Sequence, residues 1–127
     1  MKTTAAAILG LLIVATAGVC AQADIPGEVV SLFQKRCAAC HKGKTPPKGL
    51  SWEPGRIAEA IDRPSREVPE LKIIDTASPE ASYTLKKVRR GDDIKGKPMP
   101  PLKALVPDEL KIMEMWILGL QKHPVPR

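Results

Sequence analysis

Apolar side chains recur along this chain at three- and four-residue intervals, and no segment keeps the two-residue alternation of a half-buried strand. Val29, Phe33, Cys37 and Cys40 share one helical face, which predicts a first helix over about Pro26–Cys40. Asp24 can cap it, Pro26 suits its first turn, and Glu28 favours the positive end of its dipole. Leu110, Met113, Ile117 and Leu120, with Ile112 and Trp116 alongside, form the stripe of a last helix starting near Pro107. Asp108 and Glu109 occupy its first turn.

Two weaker elements lie between. Ile57 and Ile61 mark a short helix over Pro54–Ile61. Ser78, Pro79 and Glu80 read as the start of another, which runs to Arg90 and stops at Gly91, with Leu85 and Val88 facing inward. Residues 63–78 and 91–106 read as loops. The two terminal stripes must bury themselves, and each is the natural partner of the other. The expected fold is therefore all-α, with N- and C-terminal helices packed together.

Composition sharpens this picture in two places. Thirteen prolines, most of them between 46 and 107, make stiff loops and disfavour sheet. The aromatics are only Phe33, Trp52, Tyr83 and Trp116, a thin supply for a core of this size. The opening residues form a separate unit. Lys2, the apolar run Ala5–Val19 and then Ala21-Gln22-Ala23 have the layout of a secretory signal peptide. The expected organisation is a signal over residues 1–23, cleaved after Ala23, and one domain over 24–127. Ala17-Gly18-Val19-Cys20 makes a poor lipoprotein cleavage site, so membrane association is expected only if Cys20 is lipidated or the signal stays uncleaved.

The candidate chemistry is concentrated in Cys37-Ala38-Ala39-Cys40-His41. This C-x-x-C-H pattern is that of covalent c-type haem attachment. Two thiols on one helical turn can reach the two vinyl groups along one edge of a haem, and the following imidazole then reaches the iron. A bare C-x-x-C also suits a redox dithiol or half a zinc site. No strand-rich run flanks the pair, and past His41 the chain offers only His123 and no further Cys. With the signal removed, Cys37 and Cys40 are the only thiols, which leaves none for a separate disulfide. The expected cofactor is one haem c, held by Cys37 and Cys40, with His41 on the iron.

A second axial ligand decides what such a haem does. Met113 lies on the buried stripe, where Met is usually core. Met115 falls near the surface, and His123 lies in the tail. Met99 sits in Gly96-Lys97-Pro98-Met99-Pro100-Pro101, where prolines stiffen the backbone and no helical pattern competes. Met99 is the expected sixth ligand. His41 also needs a carbonyl for its other ring nitrogen, and Pro46 or Pro47 can supply one. Leu50 is placed to pack on the macrocycle.

The chain carries a formal charge of +6, one less once Lys2 is removed. Lys42, Lys44 and Lys48 follow the motif; Lys86, Lys87, Arg89 and Arg90 form a second group, and Lys95, Lys97 and Lys103 a third. Such a surface suits redox partner proteins with acidic docking faces. Few aromatics and no binding motif argue against nucleic acid.

These motifs resemble the small class I monohaem cytochromes c. The resemblance rests on Phe33-x-x-x-Cys37-x-x-Cys40-His41, Pro46-Pro47-Lys48-Gly49-Leu50, Lys97-Pro98-Met99-Pro100-Pro101 and Pro107-Asp108-Glu109-Leu110 to Trp116, in the family's order over about residues 27–121. It implies that Met99 is the distal ligand, that Pro46 or Pro47 accepts the histidine hydrogen bond, and that Trp116 packs on the first helix. Val29 stands where the family usually has a small residue at the helix crossing, Val106 replaces a Ser/Thr cap, and residues 50–78 carry no family motif. The expected function is that of a periplasmic single-electron carrier and not an enzyme. The alternatives are a haem-based gas sensor, a haem subunit of a larger oxidoreductase, or a haem-free thiol oxidoreductase.

Overall fold

The computed structural model describes residues 24–120. The signal-peptide reading, Cys20 and His123 lie outside the described residues. Three α-helices are present: α1 over Gly27–Arg36, α2 over Tyr83–Arg89 and α3 over Pro107–Gly119. Short 3₁₀ turns occupy Pro47–Gly49, Ile57–Ala60 and Pro79–Ala81. The described residues contain no strand, only isolated bridges between Ile61 and Ile74 and between Pro64 and Lys72. The all-α expectation holds.

α1 buries Val29, Leu32 and Phe33, three residues spaced to share one face. Asp24 does not cap it; no side chain does, and the Pro26 carbonyl accepts from the N–H groups of Val29 and Val30. The helix was expected to reach Cys40 but ends at Arg36. The chain continues as turns, in which Cys37 and Ala38 both donate to the Phe33 carbonyl and His41 donates to that of Cys37. This tight coil still carries the motif away from the end of α1 in a fixed direction.

α3 buries Met113 and Ile117 and packs against α1. Phe33, fully buried, joins the two helices to the middle of the chain. Its ring stacks on Trp52 at 4.3 Å between centroids and meets Trp116 edge-on at 5.9 Å. Val29 is buried in the same core as Met113 and Ile117, so the larger residue at this position is accommodated. Val106 has no side-chain oxygen for a cap. Glu109 reaches back instead, and its carboxylate accepts the Val106 N–H at 3.1 Å.

The helix expected over 79–90 is divided. Pro79–Ala81 form a 3₁₀ turn, and α2 starts only at Tyr83. Ser78 caps neither. The buried Ser82 hydroxyl instead accepts from the Asp75 N–H at 2.8 Å. The left-handed residue that closes α2 is Arg90 (φ 59°), one position earlier than the glycine that the pattern favours. The element expected over Pro54–Ile61 contracts to the 3₁₀ turn at Ile57–Ala60, which still buries Ile57.

Phe33 fills the junction of both terminal helices and the Trp52 loop. Phe33→Ala should cost about 3–5 kcal/mol of unfolding free energy. Urea denaturation measures this, and a loss under about 1 kcal/mol would contradict the packing described.

Candidate functional site

A cavity of about 640 Å³, counted to its open mouth, lies between α1, α2, α3 and the loops. Its apolar wall includes Phe33, Leu50, Trp52, Ile73, Val88 and Met113. Cys37, His41 and Met99 border the same space. Three of the sequence-predicted groups, from positions 37, 41 and 99, thus converge on one largely apolar cavity.

His41 is buried, with only 8% of its surface exposed. Its Nδ1 lies 2.9 Å from the Leu50 carbonyl oxygen. A carbonyl can only accept, so Nδ1 carries a proton, and in the neutral ring the lone pair is then on Nε2. Neither Pro46 nor Pro47 makes this bond. Their carbonyls accept the Gly49 and Leu50 N–H groups inside the 3₁₀ turn, which carries the chain on so that the next carbonyl, that of Leu50, meets the imidazole. The Trp52 N–H returns to the His41 carbonyl at 2.9 Å and closes the loop around the ring. Gly49 takes the left-handed conformation of this turn, with φ at +66°, which glycine adopts without strain.

The two thiols differ. Cys37 borders the cavity, and its burial pushes the thiol up to about 12, with Arg36 opposing and Glu109 adding to that shift. Cys40 is exposed and is not among the residues bordering the cavity; nor are Pro46 and Pro47. A zinc reading lacks ligands, because among the described residues no three His, Cys, Asp or Glu side chains gather to hold a metal ion.

The polar part of the lining was not foreseen. Lys48, Arg66, Glu67, Tyr83 and Lys87 all border the cavity. Lys87 is 6% exposed and pairs with Glu67 at 2.6 Å. The Tyr83 hydroxyl donates to Glu67 at 2.9 Å. Lys87 is thus buried rather than one of the surface cations its sequence neighbours suggest, and that group is largely spent within the fold. Lys86 pairs with Asp93, Arg89 with Glu80 and Glu114, and Arg90 donates to the Pro100 carbonyl. Lys42, Lys44, Lys48, Lys95, Lys97 and Lys103 are exposed and form no ion pair with described residues.

No family model matches the chain, and neither the search of curated proteins nor that of solved structures found a match.

Burial alone would raise the Glu67 carboxyl, but the Lys87 ammonium and the Tyr83 hydroxyl outweigh it and hold the group below its ordinary value. A carboxyl lowered by folding adds stability above its unfolded pKa of about 4.3, and that stability is lost as pH falls through the folded value. Glu67→Gln should therefore flatten the fall in stability below about pH 4. Urea midpoints across that range measure it, and an acid limb as steep as wild type would contradict the pairing.

Proposed function

We propose that this protein is a c-type monohaem electron carrier of the cytochrome c kind, exported to a bacterial periplasm. The observation that carries this reading is His41, with Nδ1 committed to the Leu50 carbonyl and Nε2 left basic, at an apolar cavity also bordered by Cys37 and Met99. That tautomer and that setting suit a proximal ligand.

Cys37, His41 and Met99 suit the group, since all three border the one apolar cavity, and Cys40 lies a turn away on the exposed side. Cys37 and Cys40 would hold the haem as thioethers, each thiol S–H adding across one vinyl double bond with sulfur to one carbon and hydrogen to the other, so that no outside oxidant is needed. His41 gives Nε2 to the iron, and the Leu50 carbonyl fixes the ring and raises its basicity. Met99 offers a thioether from another wall of the cavity. Phe33, Trp52, Ile73 and Val88 exclude water, which favours a raised reduction potential. Lys48 and Arg66 bring cations to the lining, where they suit the carboxylates of a porphyrin. A bound haem would supply a one-electron iron couple.

Were His41 and Met99 both to hold the iron, no position would remain for a substrate, which suits electron transfer rather than substrate chemistry. The free lysines at 42, 44, 48, 95 and 97 lie in sequence beside the two ligands and suit an acidic redox partner. The amino-terminal signal pattern supports export. No helix among the described residues is long and apolar enough to cross a membrane.

Met113 also borders the cavity, so the two thioethers must be told apart. The oxidised protein, produced with a haem-attachment system, should show the weak red sulfur-to-iron absorption band. Met99→Ala should abolish it and let the reduced protein bind carbon monoxide, while Met113→Leu should keep it. Carbon monoxide binding by the unaltered protein would favour the gas-sensor alternative.

A further inference from the structure

The segment 91–106 contains no helix, yet it carries Met99. Among the described residues, Met99 is the one position from 92 to 105 whose N–H makes a backbone–backbone hydrogen bond, and its acceptor is the Lys87 carbonyl at 3.1 Å. What else holds the inner part of the segment is the buried polar group on α2. The Lys87 ammonium has three donors. It meets Glu67 at 2.6 Å, the Lys95 carbonyl at 2.5 Å and the Lys97 carbonyl at 2.8 Å. The Tyr83 hydroxyl donates to Glu67 and accepts the Lys95 N–H at 3.0 Å. Gly96 completes the fit. Its φ is +68°, and a Cβ there would lie 3.1 Å from a Glu67 carboxylate oxygen.

A buried ion pair is a poor source of net stability, because desolvation offsets most of the attraction. Its geometry is the better explanation for a lysine at 6% exposure. Every donor of the ammonium is used, and two of them end on the chain two and four residues before Met99. A hydrophobic pair of the same volume would fill the space without fixing those carbonyls.

We propose that Glu67, Lys87 and Tyr83 form a buried clamp that positions the 95–99 segment and so keeps the Met99 thioether on the iron. This inference rests on the haem reading above. The three are positioning residues: they act through the loop backbone and do not themselves ligate the metal. Loosening the clamp raises the fraction of molecules in which the thioether is off, and an added ligand binds more tightly in proportion to that fraction.

The test is an imidazole titration of the oxidised holoprotein, read beside the red sulfur-to-iron band, covalent haem content and thermal midpoint. Two variants are compared with wild type: Tyr83→Phe, a mild change, and Glu67→Gln with Lys87→Met, which removes both charges and leaves neither buried alone. The double variant should bind imidazole about tenfold more tightly, the effect of losing one charge-assisted hydrogen bond, with a weakened band and unchanged covalent haem. Tyr83→Phe should move in the same direction by a smaller factor. If the double variant does not assemble, the Tyr83→Phe titration decides. Wild-type affinity and band intensity in the variants, with at most a lowered thermal midpoint, would make the cluster merely structural and overturn the clamp alone. Absence of the band from the wild-type protein would overturn Met99 ligation and the clamp with it.

Discussion

Phe33 is held between two indoles, stacked on Trp52 and edge-on to Trp116, and the rest of the molecule is arranged around that contact. It joins α1 to α3 and ties both to the loop that follows the cysteine motif. A chain with four aromatic side chains in all has placed three of them in one cluster. Aromatic pairs of this kind add about 0.5–1.5 kcal/mol beyond the area they bury. More important here is direction. Phe33 fixes the last turn of α1, and the coil leaving that turn delivers Cys37 and His41 to the cavity.

The other walls come from segments with little regular structure. Proline-bounded 3₁₀ turns and isolated bridges hold residues 46–82, and side chains from α2 hold the stretch before Met99. Stiff loops suit a site that must present fixed groups to a rigid planar ligand, because little ordering entropy is left to lose on binding. They also leave the cavity open to solvent, with Lys48 on its border.

The terminal helices, and the residues Cys37, His41 and Met99 that the structure brings to one cavity, stood out because each carries a local signal. The stripe on α3 has a helical period, C-x-x-C-H has a fixed spacing, and a methionine between prolines lies outside any helix pattern. Features that depend on long-range pairing were not legible. Pro46 and Pro47 looked like the histidine's acceptors, but the 3₁₀ turn they start uses their carbonyls and presents that of Leu50. Lys87 looked like one more surface cation, since its partner Glu67 lies twenty positions away and the carbonyls it binds belong to a later loop. Trp52 carried no periodic signal, although a lone tryptophan just past the motif was a hint that something must cover the ring. The helix over 79–90 failed at Ser82, whose hydroxyl serves the Asp75 amide in a loop that no local rule describes.

Covalent occupation of the cavity at Cys37 and Cys40 is the claim on which the others stand. It is tested most directly by mass spectrometry of the protein produced with a haem-attachment system, followed by proteolysis. The peptide that contains Cys37 to His41 is expected to carry the mass of one haem, with no free thiol left at either cysteine. That peptide at its unmodified mass, with both thiols open to alkylation, would contradict the reading.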